Sequence, residues 1–509
     1  MDPYTDADPE YRSTPLHFRV PPPSVYTCPQ PGRHPGAQQY SNQPPHQPRQ
    51  IPSNMSHPTQ NRSYNNEGMR DGRRPLPPQQ RNPQHHSTEA TRDKAPVYQQ
   101  QQPSQQAGQK VQVDVRQRVE FLEGGRGMGS QKLRMVVGEK PETVDFDLFS
   151  MGAVMTRLME MKKKLVGVPH ELVTAARSRA NPYERVSNSL FINRAAVKLA
   201  YLDVLCNLTG SPVSSAGVFR FADLCGGPGG FSEYVLWRKR TSGEAVKGWG
   251  ISLKTGKGED WALDKFHPDT DVENSFSVCD GVDGSGDLLK EQNIREFARL
   301  IDQATDGNGV DLVTADGGLC FEGKEQDQEW LMRRLLLCQI ISMLLILRRG
   351  GVFVCKLFDI SLPFTAGLVY ILHSIFDRIT IVKPLPSRPA NAERYAVCHG
   401  NREKNPIELV DYLLKVNVTM ERGEEVVGIV DLEEMQKDEA FLDYLQALNM
   451  KIAVGQTNSI QEMLKHVENP ELGPSVNQEE VRRQCFKEWR LPVDEVRHIK
   501  FAPGLSANT

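Results

Sequence analysis

Between residues 186 and 400 the chain alternates short apolar runs with longer stretches of helical length. Several of the short runs are apolar at nearly every position and are bounded by glycine, a pattern typical of strands buried on both faces. Strands that alternate with helices form a Rossmann-like α/β fold with a doubly wound, mostly parallel sheet. The predicted strands cover residues 218–223, 248–253, 310–315, 351–356, 378–383 and 395–398. The predicted helices cover residues 194–208, 230–238, 292–304, 327–347 and 363–376.

The regions on either side of residues 186–400 have a different composition. Residues 1–110 hold 20 of the 35 prolines and glutamine-rich runs such as Y-Q-Q-Q-Q-P-S-Q-Q. We expect a disordered tail there, because the segment has no apolar face whose burial could offset the entropy of ordering. Recruitment of the transcription or capping machinery and a role as a plain linker both stay open for this tail. We expect an N-terminal extension with a basic helix at 111–185 and a helical C-terminal extension without chemistry at 401–509. Helices are predicted in the latter at 432–448, 459–466 and 478–489.

The overall charge of the chain is close to balanced, with a formal net charge of −3. A surface that binds nucleic acid would therefore be local, and the basic stretch from 161 to 185 is the candidate. The N-terminus lacks the apolar core of a secretory signal, and the longest apolar stretch, 335–347, is shorter than the about 20 residues that span a bilayer. The nine cysteines form no C-x-x-C pair, which favours free thiols over zinc or disulfides. We expect an intracellular protein with no membrane partner and no metal site.

A glycine-rich turn, C-G-G-P-G-G at 225–230, follows the first predicted strand and opens the next helix. Glycine lets the backbone and a ligand approach each other closely, and the helix N-terminus adds a positive dipole. The spacing differs from the G-x-G-x-x-G of dinucleotide-binding proteins. Pro228 stands in mid-turn, which favours the methionine and ribose parts of S-adenosylmethionine over a pyrophosphate. Asp287, in D-G-S-G-D-L, is a candidate for holding ribose hydroxyls, and an ordinary turn residue is the equally open alternative.

Four residues in separate contexts are candidates for one catalytic set: Lys198, Asp316, Lys356 and Glu393. Asp316 and Lys356 end apolar runs, and ligands of α/β sheets bind at the carboxyl ends of strands. To methylate a ribose hydroxyl, a general base must take the proton as the oxygen attacks an electrophilic methyl group. We predict that Lys356 is this base, with a pKa lowered by burial and by Lys198. Asp316 would orient the amines and Glu393 would position the second lysine. Taken singly, any of the four could be a surface ion pair.

The segment from about residue 181 to residue 398 resembles the FtsJ-type ribose 2′-O-methyltransferases with a K-D-K-E tetrad, and among them the members that act on mRNA caps. The strings that carry the resemblance are F-A-D-L-C-G-G-P-G-G-F-S-E-Y-V-L-W-R-K, A-D-G-G, L-L-L-C-Q, C-K-L-F-D and S-R-P-A-N-A-E-R-Y. The resemblance implies a nuclear enzyme that uses S-adenosylmethionine. The implied substrate is N7-methylguanosine-capped mRNA, methylated on the ribose 2′-OH of the first transcribed nucleotide.

The resemblance also implies roles for individual residues. It assigns the catalytic tetrad to Lys198, Asp316, Lys356 and Glu393. It assigns cofactor contacts to Asn193, Cys225, Gly226, Gly227, Pro228, Gly229, Gly230, Phe231, Asp287 and Leu288. It assigns contacts with the capped RNA to Arg177, Gln326, Asp327, Gln328 and Asn391, and the basic stretch 162–166 is a further candidate.

The chain also departs from the larger animal members of this family. Only F-L-E-G-G-R-G-M-G-S at 121–130 partly resembles their G-patch motif, and we expect neither a guanylyltransferase-like domain nor a WW domain. Two other functions stay open. One is a cap-2, rRNA or tRNA ribose 2′-O-methyltransferase, and the other is a catalytically silent RNA-binding subunit of the capping machinery. A Rossmann dehydrogenase is disfavoured because the glycine spacing is wrong and both lysines would lack a role.

Overall fold

The structure is a computed structural model that describes residues 113–125, 127–129, 132–187, 190–210, 217–256, 260–319 and 325–494. The predicted tail at 1–110 lies outside these ranges. Within them, eight strands form one mixed sheet and two form a second sheet. The strands are β1 (Leu122–Glu123), β2 (Leu133–Val137), β3 (Val218–Leu224), β4 (Ala245–Ile251), β5 (Phe276–Cys279), β6 (Val310–Ala315), β7 (Leu347–Leu357), β8 (Phe376–Val382), β9 (Arg394–Asn401) and β10 (Val426–Val430).

Helices flank the large sheet. They are α1 (Gly152–Lys163), α2 (His170–Ala180), α3 (Arg194–Cys206), α4 (Gly230–Thr241), α5 (Val272–Ser275), α6 (Glu291–Ala304), α7 (Gln328–Ile346), α8 (Pro363–Ile375), α9 (Ile407–Glu421), α10 (Leu432–Gln436), α11 (Glu439–Glu468) and α12 (Gln478–Glu488). Among the described residues, none of these helices is both long and apolar enough to cross a bilayer.

The order of strands in the large sheet is β1-β8-β9-β7-β6-β3-β4-β5. The five strands from β7 to β5 run parallel, and every residue of β6 is buried. The strand order reverses between β3 and β6, and such switch points are where α/β sheets open a crevice for ligands. The predicted Rossmann-like α/β class, with a doubly wound and mostly parallel sheet, is therefore confirmed.

One strand of the sheet runs against both of its neighbours at a position that matters for the site. β9 lies antiparallel between β7 and β8. Its register pairs Tyr395 with Lys356, so the first residues of β9 lie beside the last residues of β7. The loop that enters β9 therefore reaches the edge where the parallel strands end.

The C-terminal region differs from the prediction of separate helices. The helices predicted at 432–448 and 459–466 are instead α10 and one helix of 30 residues, α11. The unpredicted strand β10 pairs with β2 of the N-terminal extension. Helix α11 packs against α1 and α2, with Ala453 and Ile460 buried against Met155, Leu158 and Met161 of α1. The burial of these apolar side chains joins the two extensions.

Candidate active site

The four predicted catalytic residues meet at the carboxyl edge of the sheet. Lys198 lies in α3, Asp316 directly follows β6, Lys356 is the penultimate residue of β7, and Glu393 directly precedes β9. Because β9 is antiparallel to β7, the chain brings Glu393 back to the end of the strand that carries Lys356. Residues separated by up to 195 positions thus converge through sheet topology.

The tetrad forms two close ion pairs. Lys198 Nζ lies 2.8 Å from Glu393 Oε2, and Lys356 Nζ lies 2.8 Å from Asp316 Oδ1. A longer contact of 3.9 Å joins Lys356 Nζ to Glu393 Oε2 and connects the pairs. Lys356 also donates a hydrogen bond to the backbone carbonyl of Asp316 at 3.1 Å. The four side chains are 10 to 17% exposed, so the cluster is enclosed yet open to a ligand.

The charges in the cluster act strongly on each other. Burial tends to raise the pKa of Glu393, but Lys198 and Lys356 outweigh it and hold the pKa at about 2. Burial tends to lower the pKa of Lys356, but Asp316 and Glu393 outweigh it and raise the pKa above its ordinary value. The expectation of a lowered pKa for Lys356 is therefore wrong for the protein without ligands, because two adjacent carboxylates favour the ammonium more than burial disfavours it.

Tyr395 supports the tetrad and was not predicted as a site residue. Its hydroxyl donates a hydrogen bond of 2.6 Å to Asp316 Oδ1, the same oxygen that pairs with Lys356. The side chain is fully buried, and its ring centroid lies 6.0 Å from Lys198 Nζ. Tyr395 is two residues beyond Glu393, and alternate residues of an extended chain face the same side. That spacing is the signal from which Tyr395 could have been predicted.

The glycine turn at 225–230 lies between β3 and α4, as predicted. Gly229 has a φ of +116°, which side chains other than glycine rarely adopt. A Cβ on Gly230 would collide with the side chain of Asn193. Asn193 caps α3, its Oδ1 accepting a hydrogen bond from the backbone N–H of Ala195 at 2.9 Å. The turn therefore packs against the start of the helix that carries Lys198.

Asp223, at the end of β3, anchors this turn. Its carboxylate accepts hydrogen bonds from Ser232 at 2.7 Å and from Thr314 at 2.8 Å, which ties β3 to α4 and β6. Burial raises the pKa of Asp223 to about 7, although the two hydroxyl donors act against the shift. Both carboxylate oxygens of Asp223 thus accept hydrogen bonds from other side chains of the protein.

The predicted cofactor residues follow β3 and β5 or, in Asn193, directly precede α3. Burial, followed by Asp223, raises the pKa of the Cys225 thiol to about 12, and Lys356, Asp287 and Asp316 act on it more weakly. The thiol thus lies within electrostatic reach of the tetrad and of the loop after β5. Phe231 and Leu288 are buried side chains, each only 2% exposed. Pro228 accepts a hydrogen bond from the backbone N–H of Ala262 through its carbonyl.

Two roles stayed open for Asp287 in the sequence, and the structure gives it the hydrogen bond of a turn residue. Its Oδ1 accepts a hydrogen bond from the backbone N–H of Leu289 at 2.9 Å, and the residue is only partly exposed. It lies on the loop after β5, at the same edge of the sheet as the glycine turn. The role as a cofactor contact stays a prediction.

The residues predicted to contact RNA lie on three segments. Arg177 is in the last turn of α2, and Gln326, Asp327 and Gln328 span the start of α7. Asp327 pairs with Lys140 at 2.7 Å. The third segment is the loop before β9, which places Asn391 two residues from Glu393.

The C-terminal helix α11 supports the catalytic loop, which the sequence did not predict. Asn449 accepts a hydrogen bond of 2.8 Å from Arg394 and donates to the carbonyls of Phe149 and Ile360. Arg394 also donates to the carbonyl of Ala392 at 3.0 Å. Residues 401–509 were predicted to carry no chemistry, and the contact of α11 with Arg394, the residue after Glu393, gives this extension a supporting role.

The part of the chain that carries this site is similar to known proteins. Residues 191–401 match the family described as FtsJ-like methyltransferase. A cap-specific mRNA (nucleoside-2′-O-)-methyltransferase 1 from Dictyostelium discoideum is 39% identical over 333 residues, which are 62% of this chain and 43% of that protein. The human protein of the same name is 36% identical over 380 residues, which are 71% of this chain and 45% of that protein. The aligned part of the chain thus spans less than half the length of these relatives.

Solved structures were compared as well. A crystal structure described as a ribosomal RNA methyltransferase from Plasmodium falciparum aligns with 41% of this chain and 97% of its own length, at 19% identity and a TM-score of 0.30. A similarity at that score carries no conclusion about the substrate.

Proposed function

We propose that the protein methylates the ribose 2′-OH of the first transcribed nucleotide of N7-methylguanosine-capped mRNA, with S-adenosylmethionine as methyl donor, because residues 191–401 match the FtsJ-like methyltransferase family. The observation that carries this proposal is the pair of lysine–carboxylate contacts at 2.8 Å beside the glycine turn. The names of the curated relatives support the capped substrate.

Lys356 is the proposed general base. Asp316 and Glu393 keep it protonated in the protein without ligands, since they raise its pKa. S-adenosylmethionine, when bound, supplies an electrophilic methyl group on a positively charged sulfur. A positive charge near Lys356 favours the neutral amine, and only the neutral amine can take the proton of the ribose hydroxyl. Asp316 then accepts a hydrogen bond from Lys356 and keeps its Nζ in place.

Glu393 and Lys198 have a second role. Glu393 Oε2 contacts both amines, and the hydroxyl of Ser387 also stabilises this carboxylate. Lys198 neutralises the carboxylate and adds a positive charge that disfavours protonation of Lys356.

The residues around the glycine turn fit S-adenosylmethionine. Trp261 packs against Gly226, and its buried Nε1 donates to none of the described residues. Asp287 offers a carboxylate and Asn193 an amide, which suits the hydroxyls and the amino group of such a ligand. We assign these residues, with the backbone of 225–231 and Leu288, to the cofactor.

The RNA side of the site is proposed from charge and position. Basic residues fill the last turns of α1 and α2, which include Lys162, Lys163, Arg177 and Arg179. Such residues bind phosphates without reading bases. Asn391 and the segment 326–328 complete the proposed RNA path. Since mRNA is capped as it is transcribed, we place the protein in the nucleus and propose that residues 1–110 contact the transcription or capping machinery.

The test is methyl transfer from labelled S-adenosylmethionine to one RNA sequence in three forms: uncapped, capped with guanosine, and capped with N7-methylguanosine. The labelled nucleotide is then mapped. We expect label on the 2′-O of the first nucleotide and only on N7-methylguanosine-capped RNA. Label on the second nucleotide, or on uncapped rRNA or tRNA, would mean that the protein carries out the same methyl transfer on a different substrate. No label on any RNA would favour the catalytically silent subunit.

A further inference from the structure

Lys383 lies directly after β8, and its amine is turned toward the loop that carries Glu393. Its Nζ donates hydrogen bonds to the backbone carbonyl of Asn391 at 2.7 Å, to Asn391 Oδ1 at 2.8 Å and to the backbone carbonyl of Glu393 at 3.1 Å. An ammonium has three N–H donors, and all three are used on residues 391–393. We name residues 391–393 the Glu393 segment.

The Glu393 segment has no strand or helix to hold it. The turns before it are closed by hydrogen bonds from the N–H of Ser387 to the carbonyl of Pro384 and from that of Asn391 to that of Arg388. The remaining support comes from side chains. Arg394 binds the carbonyl of Ala392, and Lys383 binds those of its two neighbours. Gln456 adds a hydrogen bond to the carbonyl of Ala390, so these two cations supply a large part, though not all, of the support of Glu393.

The surroundings of the Lys383 amine disfavour its charged form. Burial is the largest influence and lowers the pKa of Lys383 to about 7, although the residue as a whole is partly exposed. Charged groups face the amine from β9, α3 and the loop after β7: Glu393 and Asp359 raise the pKa, whereas Arg394 and Lys198 lower it. A side chain that only filled space here would be more stable if it were apolar. A lysine at this position contributes three N–H donors, and all three bind the Glu393 segment.

We propose that Lys383 is a positioning residue for methyl transfer, which fixes Glu393 against Lys198 and Lys356 and presents Asn391 to the substrate. The proposal rests on the proposed function. Lys383 touches none of the reacting atoms and acts through the Glu393 segment.

The chain offers a matched control on the same wall. The stem of Lys383 lines a cavity of about 430 Å³, together with residues of α11 that include Lys451. Lys451 is exposed, and among the described residues no hydrogen bond joins it to the Glu393 segment. Lys383→Met and Lys451→Met remove the same charge from the same cavity. The cavity also leaves space for a longer side chain in Lys383→Arg.

The first experiment compares these three variants with the wild-type full chain on capped RNA. We expect Lys383→Met to lower kcat on the order of 10²-fold, because a small displacement of a catalytic group has that effect. In Lys451→Met, both the KM for S-adenosylmethionine and the thermal unfolding midpoint should match those of the wild type. Lys383→Arg should restore much of kcat. Equal kcat values for Lys383→Met and Lys451→Met would overturn the proposal, as would a loss confined to KM.

A second experiment does not depend on activity. Hydrogen exchange followed by mass spectrometry should show faster exchange at residues 385–395 in Lys383→Met, with unchanged exchange in β6 and α3. If the wild type methylates no RNA, the proposed function fails, and this measurement still decides on the position of the segment. Faster exchange there supports the role of Lys383, and unchanged exchange overturns it. Faster exchange throughout the protein would indicate a general loss of structure and would also overturn it.

Discussion

The two ion pairs of the tetrad are held in different ways. The strand-borne half is Asp316 with Lys356, and the loop-borne half is Glu393 with Lys198. Asp316 and Lys356 stand at the ends of the neighbouring parallel strands β6 and β7, whose ladder fixes their backbones. Glu393 stands on a loop, and this loop is held by hydrogen bonds from the side chains of Lys383, Arg394 and Gln456. The strand-borne half is thus positioned by regular structure, whereas the loop-borne half depends on a few side-chain hydrogen bonds. Substitutions far from the chemistry should act through Glu393 and leave Lys356 in place.

The largest effect is expected in the strand-borne half. Lys356→Ala removes the proposed base, and methyl transfer should fall by about 10³-fold or more. Binding of S-adenosylmethionine, measured by calorimetry, should change little, since the role of the amine is confined to the transition state. Lys437→Ala, at an exposed lysine after α10, is the control for loss of one charge. A collapse of cofactor binding equal to the loss of rate would show that Lys356 is not the base.

The loop-borne half should respond to a change in the distant helix α11. Asn449→Ala removes the acceptor of Arg394 and the donor to two buried carbonyls. We expect a loss of about 2 kcal/mol in the free energy of unfolding, because buried polar groups lose their partners. We also expect roughly a tenfold fall in kcat. Asn458→Ala, at an exposed position of the same helix, should leave both unchanged. If Asn449→Ala lowers stability without changing kcat, α11 supports the fold and not the position of Glu393.

A smaller effect is expected outside both halves, at the proposed phosphate contact of α2. Arg177→Ala should weaken binding of capped RNA by about 1 kcal/mol and lower the slope of log affinity against log salt concentration by about 1. The rate at saturating RNA should stay near that of the wild type. Fluorescence anisotropy at several salt concentrations measures both quantities. An unchanged salt slope would place Arg177 off the path of the RNA.

The contrast between the halves also explains what the sequence could predict. Asp316 and Lys356 end apolar runs, so their strands and their shared edge follow from local pattern. Lys198 and Glu393 were identified through the family motifs. The contacts of Lys383 and Asn449 could not be predicted, because they join positions 8 to 300 residues apart through loops and a helix with no periodic signal for them. The raised pKa of Lys356 was missed because its distance to Asp316 depends on the pairing of β7 with β6, and its distance to Glu393 depends on the register of β9.

A further effect is expected on the pH dependence of stability, and it tests how Lys383 holds the loop. The pKa of Lys383 is lowered by burial from its ordinary value of 10.5 to about 7. Between these values the folded protein holds a neutral amine while the unfolded chain holds an ammonium, so unfolding takes up a proton and a rising pH opposes it. The free energy of unfolding of the wild type, minus that of Lys383→Met, should therefore increase above pH 7, by at most about 1.4 kcal/mol per pH unit.

Urea denaturation of both proteins at several pH values between about 6 and 9 measures this difference, and the subtraction cancels groups that titrate alike in both. Below pH 7 the difference should be flat, since both states then hold the ammonium. A difference that stays flat to pH 9 would mean that Lys383 keeps its ordinary pKa. All three hydrogen bonds to the Glu393 segment would then persist at alkaline pH. An increase would mean that the neutral amine, with only two N–H donors, gives up one of the three. The loop-borne half would then loosen at alkaline pH, while the strand-borne half would not.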